Sequence, residues 1–194
     1  MNKITEEMKS DILNRIGEKR YNHTIRVRDT AVELAKIYNV DLEKAYVAGM
    51  LHDCAKIRDE KELIEVSFDY GLNLTDDMEK APQIIHSFLG AIISEKKYGI
   101  EDEDILNAIR FHTTGRENMS DLEKIVFLAD YIEPMRNFSG VDKARKLACE
   151  DLNKAMMYSL NNTILFLCNK DEYIALDTIK ARNYILEIEN EKIF

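Results

Sequence analysis

The chain has 194 residues, 45% hydrophobic and 32% charged, with only two prolines and seven glycines. Its net charge of −9 and pI near 5.1 exclude a general nucleic-acid or anionic-membrane surface, so positive charge for an anionic ligand must be supplied locally. The apolar content excludes disorder, no apolar run approaches the about 20 residues needed to span a bilayer, and the widely separated Cys54, Cys149 and Cys168 behind an acidic N-terminal stretch point to a reducing cytoplasm.

In chain order, Ile4, Met8, Ile12 and Ile16 recur every four residues and predict a first helix that Gly17 ends. Residues 17–22 read as a short basic connection carrying Lys19 and Arg20, so that His23 falls in the first turn of a second helix reaching about Tyr38. Asn39 terminates it, and Asp41 caps the next helix, whose apolar run over 45–51 stops at His52-Asp53. Residues 59–70 form a short amphipathic helix and 71–78 a polar loop. Pro82 opens a helix with His86 one turn in, and a further helix through Ile105, Leu106, Ile109 and Phe111 is broken by Thr113-Thr114-Gly115, leaving His112 at its C-terminal end. Ser120 and Glu123 make a capping box for a helix closed by Glu133-Pro134, with Asp130 in its last turns. Asp142 caps a long helix running through Leu167, whose Met and Tyr residues are assigned to the core or to the seam of a homodimer, and a final helix covers about 178–189. No alternating strand pattern intervenes, and the predicted fold is all-α in a single domain.

The candidate chemistry starts from His52-Asp53. Adjacent helix positions diverge by roughly 100°, so the two side chains cannot both face the core, but they can converge on an ion just beyond the helix end. The chain has four histidines in total, and all of them, His23, His52, His86 and His112, fall at or near predicted helix boundaries. Asp130 lies inside the apolar stretch 125–132, where an unpaired charge is costly and a nearby cation would account for it. Cys54 follows the pair directly and reads as a small buried thiol.

The order His23, His52-Asp53, His86, His112, Asp130 resembles the HD-domain metal-dependent phosphohydrolases. Longer strings are similar to the bacterial YqeK family of symmetrical bis(5'-nucleosyl)-tetraphosphatases, which act on diadenosine tetraphosphate. They are Arg20-Tyr21-Asn22-His23-Thr24, the stretch 48–56 ending in Lys56, His112-Thr113-Thr114-Gly115, the stretch 122–134 and Thr178-Ile179-Lys180-Ala181-Arg182-Asn183. The chain departs from that pattern near Leu176, where a proline is expected. The resemblance implies a single HD-domain helical bundle over 1–194 with a metal site at converging helix ends. Residues 1–17 are then an N-terminal helix, 18–134 the metal-binding core and 142–194 the C-terminal helices. It further implies His23, His52, Asp53 and Asp130 as ligands of one or two ions of iron or of manganese, cobalt or zinc, with His86 and His112 beside the phosphates or on a second ion.

The chemistry agrees with these residue types. A phosphoanhydride resists attack because nucleophile and polyphosphate are both electron-rich, and a divalent ion supplies hydroxide while polarising the P–O group. Asp53, His86 and His112 are the expected catalytic groups, acting on a β-phosphorus to release two ADP. Arg20, Lys56 and Arg136 are expected on the phosphates, with Arg26 as a further candidate; Thr113 joins them through its hydroxyl. Tyr173, Ile174 and Arg182 stand on the nucleoside side, and the ligands His23, His52 and Asp130 also border the substrate. The expected partners are a dinucleoside polyphosphate and ADP, with no nucleic acid and no membrane. The same constellation would serve an HD-domain nucleotidase, a cyclic-nucleotide phosphodiesterase or a non-catalytic nucleotide sensor.

Overall fold

A single glycine redirects the first helix. In the computed structural model, which describes residues 3–191, α1 (Glu6–Ile37) is bent at Gly17, the one residue inside it with non-helical angles, φ 77° and ψ 160°. Glycine reaches that region without steric cost. The connection expected over 17–22 is therefore not there: Glu18, Lys19 and Arg20 are good helix formers, so the helix resumes at once and His23 lies in the second turn beyond the kink. Residues 1, 2 and 192–194, the extreme ends of the expected domain, lie outside the described residues.

After Asn39, which turns the chain at φ 53°, α2 (Leu42–Leu51) starts on the Asp41 side chain, which accepts from the Glu43 and Lys44 amides. It lies close on α1 through Gly49, where a Cβ would stand 2.7 Å from the Arg28 Cα. Then come α3 (Glu60–Asp69), capped by Asp59, and α4 (Asp76–Lys80), capped by Thr75. The polar loop expected over 71–78 thus gives way to a short helix at its end, because the Thr75 hydroxyl accepts from the Met78 amide and Met78 is buried. A single 3-10 turn (Pro82–Ile84) leads into α5 (Ile85–Lys96), followed by α6 (Glu103–Arg110) and α7 (Asp121–Ile132), whose Ser120–Glu123 capping box is present as expected.

The long helix expected from Asp142 is two helices, α8 (Val141–Glu150) and α9 (Leu152–Asn169). Gly140 at φ 92° stands before α8, while Asp151 leaves helical space at φ −161° to accept the Lys154 amide and start α9. An Asp side chain competes with the helical backbone for such amides, which favours caps over interiors. Met156 of α9 is core, and Tyr158 packs on it and donates to the Gly140 carbonyl. The last helix, α10 (Leu176–Glu191), begins slightly earlier than expected. There the Leu176 amide donates to Asp77 at 2.6 Å, a bond a proline at that position could not make.

The described residues contain helices and no strand. Helices α1, α2, α6 and α7 pack on one another at the centre, α5 covers α6, and α8 to α10 lie behind α7. One continuous apolar core joins Ile12, Val27, Met50, Leu51, Ile105, Ile109, Ile125 and Leu128. No described helix is long and apolar enough to cross a membrane. This packing brings the C-terminal ends of α2, α6 and α7 to the same place as the start of α5 and the middle of α1.

Candidate metal centre

Each of the four imidazoles at that meeting point is fixed through Nδ1. His52, at the end of α2, donates to the Gly49 carbonyl at 2.8 Å. His112, just past α6, donates to the Ile109 carbonyl at 2.7 Å, and His86 to the Gln83 carbonyl at 2.6 Å. His23 donates from Nδ1 to the Glu133 carboxylate at 3.2 Å. Carbonyls and carboxylates only accept, so the proton is on Nδ1 and every Nε2 presents a lone pair to the centre. Three of the four pins reach back three residues, to carbonyls left unsatisfied by a helix or 3-10 turn.

The Nε2 atoms surround Asp53. Its Oδ1 lies 3.2 Å from His86 and 3.8 Å from His112, its Oδ2 3.5 Å from His52 and 3.8 Å from His23. Arg20 donates to the same Oδ2 at 2.9 Å. Asp130 enters from α7, with Oδ1 3.0 Å from His23 Nε2 and 2.5 Å from Arg136. Burial alone would raise the Asp53 pKa, but His52 and His86 carry it well below the usual carboxylate range. For Asp130 the contacts with His23 and Arg136 likewise overcome burial and hold it ionised. His112 is pushed down to about 3, first by burial and then by its imidazole neighbours, and burial lowers His86. At His52 burial opposes the charged form, yet the neighbouring Asp53 carboxylate raises the pKa.

These residues fit a divalent transition metal. His23, His52 and Asp130 offer ligand atoms within 4.8 Å of one another, and His52, Asp53 and His112 form an adjoining set that shares His52. The buried Nε2 atoms of His23 and His52 have no hydrogen-bond partner. His86 Nε2 and His112 Nε2 face each other at 3.2 Å, two lone pairs that call for a proton or a cation between or beside them. Mixed imidazole and carboxylate donors suit iron, manganese, cobalt or zinc and are wrong for calcium.

Two cavities meet at this cluster. The larger, about 780 Å³, is bordered by His23, His86, Arg20, Lys56 and Arg136. The smaller, about 210 Å³, is bordered by His112, Thr113, Asp130, Tyr131, Phe138 and again Arg136.

The sequence profile described as the HD domain matches residues 20–135, a span that contains every residue of the cluster. The chain belongs to the HD-domain family. A protein of Halalkalibacterium halodurans named "Bis(5'-nucleosyl)-tetraphosphatase, symmetrical" is 50% identical over 88% of this chain and 91% of its own length. The Bacillus subtilis protein of the same name is 40% identical over 93% of this chain and 97% of its own. A crystal structure from Clostridium acetobutylicum, described as a predicted HD superfamily hydrolase involved in NAD metabolism, superposes with a TM-score of 0.90 at 50% identity, covering 94% of this chain and 96% of that one. The helical bundle and the divalent-metal chemistry expected of an HD domain are therefore those of this chain's family.

Of the residues singled out from sequence, the HD-domain scaffold brings His23, His52, Asp53, His86, His112, Thr113, Asp130, Arg20, Lys56 and Arg136 to the cluster or its two cavities. Lys56 Nζ stands 3.2 Å from His86 Nε2, and Thr113 Oγ1 3.2 Å from His112 Nε2. Tyr173, Ile174 and Arg182 line neither cavity. Tyr173 donates to Asp77 at 2.7 Å, and Arg182 donates to Asn161 of α9, two residues before Thr163 on the smaller cavity. Cys54 is buried against the Gly90 carbonyl and Ser94 with its thiol pushed up to about 12, as a packed thiol should be.

One member was not read from sequence as part of the site. Glu133, expected only as a helix terminator, is buried at 2% exposure and accepts from His23, from Arg26 at 2.7 Å and from the Met135 amide at 2.8 Å. Its spacing from Asp130, three residues and so the same helix face, was the available signal.

Proposed function

We propose that the chain hydrolyses diadenosine tetraphosphate at its centre, by attack at a β-phosphorus that releases two ADP. Its cofactor is a divalent transition ion, iron in first place and manganese, cobalt or zinc as substitutes, held by His23, His52, Asp53 and Asp130. The observation that carries this reading is four pinned imidazoles and two carboxylates gathered between two cavities that share Arg136, in a chain whose close relatives bear the name of that reaction.

A divalent ion in such a site lowers the pKa of water from about 15.7 to about 7 and draws charge from a phosphoryl oxygen. Asp53, ionised and central, orients the attacking water through a carboxylate oxygen. His86 and His112, whose Nε2 lone pairs face the centre, take up the proton that the attacking water gives up and pass it on to the departing ADP oxygen. Lys56 meets the phosphates directly. Arg20 and Arg136, which bridge to Asp53 and Asp130, turn to phosphate when those carboxylates take a cation. Thr113 offers a hydroxyl beside His112. The free thiols of Cys54, Cys149 and Cys168 fit a reducing cytoplasm.

The test is to load the purified protein with iron or cobalt, add diadenosine tetraphosphate and resolve the nucleotides. Two ADP are expected; ATP with AMP, or no turnover, overturns the reading. Metal analysis of anaerobically purified protein identifies the resident ion.

A further inference from the structure

The larger cavity carries more positive charge than the metal cluster needs. Lys19, Arg20, Arg26, Lys56, Arg58 and Arg136 line it, against Glu60 and Glu133, in a chain of net charge −9. Three of the six are already neutralised: Arg20 by Asp53, Arg26 by Glu133 and Arg136 by Asp130, at 2.9, 2.7 and 2.5 Å. Lys19, Lys56 and Arg58 pair with no carboxylate among the described residues. Lys56 stands beside His86 of the cluster, whereas Lys19 and Arg58 are exposed residues of the same lining, and neither lies in the strings by which the chain resembles its family. The same cleft has an apolar lining as well, from the buried Ile16 and Leu63 together with Pro82 and an exposed Met135. Cationic and aliphatic groups in one lining suit a ligand with a phosphate end and a flat apolar end, and Met is a side chain that adapts to such a ring.

Size separates the two cavities. Sites for small molecules run to about 300–1,000 Å³. The cleft at about 780 Å³ has room for a whole nucleoside diphosphate, whereas its neighbour at about 210 Å³ encloses only the phosphate end of one, whose nucleoside then extends beyond it. A dinucleotide cut at its midpoint must place one nucleoside diphosphate on each side of the central bridging oxygen whose bond breaks, and Arg136 borders both cavities.

We propose that the cleft between Lys19 and Arg58 is a second nucleotide subsite, holding one entire nucleoside diphosphate half while the other half lies on the His112–Thr113 side. The inference rests on the symmetrical dinucleotide reading above and adds the residues that take the second half. Two-sided capture is what makes the cut symmetrical, because the centre of the polyphosphate is then the part held over the cluster.

Equilibrium dialysis of labelled ADP against the metal-loaded protein tests it, beside KM for diadenosine tetraphosphate. Two ADP per chain are expected in the parent and one in Lys19→Ala/Arg58→Ala, with KM raised about fivefold or more, the scale expected for losing two partly exposed charge contacts. Lys19→Arg/Arg58→Lys should keep both ADP. One ADP in the parent overturns the proposal, as does a double alanine variant that folds by circular dichroism and keeps two ADP with the parent KM. The ADP count is read without turnover, so failure to cleave the dinucleotide would strike the proposed function and leave this count standing.

Discussion

The histidine cluster and the C-terminal helix pair depart from the rule of apolar inside and polar outside in opposite directions. Where the ends of α2, α5, α6 and α7 meet the middle of α1, four imidazoles and the carboxylates of Asp53 and Glu133 are buried. On α9 and at the start of α10, Leu165, Phe166 and Leu176 are 60%, 55% and 58% exposed. The costs are unequal. A buried polar group without a partner costs about 2–7 kcal/mol, whereas apolar side chains scattered over a surface are ordinary. The interior departure is matched atom by atom, Nδ1 to carbonyl or carboxylate and carboxylate to guanidinium, and what is left over is a ring of Nε2 lone pairs. That residue of unmet valence is why the inner region carries a functional reading and the outer one does not.

The sharpest way to break the comparison is His52→Ala, which removes the imidazole shared by both ligand sets. Loss of the metal and a fall in turnover of more than about a hundredfold are expected, since even indirect partners of a metal cost 10–100-fold; metal content and ADP release are the measurements. Glu133→Gln tests the pin on His23 separately. With the anionic acceptor gone, metal affinity should drop by about 10–100-fold, read by competition with a chelator, while the helical circular dichroism spectrum stays the same.

Gly49→Ala asks whether the cluster depends on close helix contact. The new Cβ would meet the Arg28 backbone at 2.7 Å, and forcing α2 off α1 should cost about 1–3 kcal/mol, visible as a lower Tm, and should displace His52.

A surface carboxylate provides the contrast with Asp53. Asp11 accepts from Lys97 at 2.7 Å and Tyr98 at 2.6 Å; burial opposes ionisation, but these partners hold its pKa below 3.8. Its folded pKa is depressed, so its contribution is complete above the unfolded value and disappears as pH falls through the folded one. Asp11→Asn should therefore cost about 1 kcal/mol or less near neutral pH, and the gap in denaturation midpoint from the parent should close in acid. Smallest of all, Phe166→Ser on the outer face should shift stability by no more than about 0.5 kcal/mol; a larger loss in urea unfolding would mean that this face is covered in solution.

The helices were legible wherever short-range rules decide them. The Asp41 cap, the Ser120 box and the turn at Asn39 each depend on a few neighbouring residues. Misreadings came where two local signals compete. At Gly17 one residue bends a helix that its followers continue, and at Asp151 a capping side chain splits a long apolar stripe in two.

The all-helical fold, the placing of His52, His86 and His112 at helix ends and the chemical kind of the site could be read from the sequence, because periodicity, caps and the three-residue reach from ring to carbonyl are short-range effects; His23, expected at a helix start, lies inside α1. Only the tertiary structure decided that Asp53 sits among all four Nε2 atoms, that Glu133 reaches back to His23 across 110 residues, and that Lys19 and Arg58 border one cleft. These depend on how α1, α2, α5, α6 and α7 cross, and that geometry is set by packing of side chains far apart in the chain.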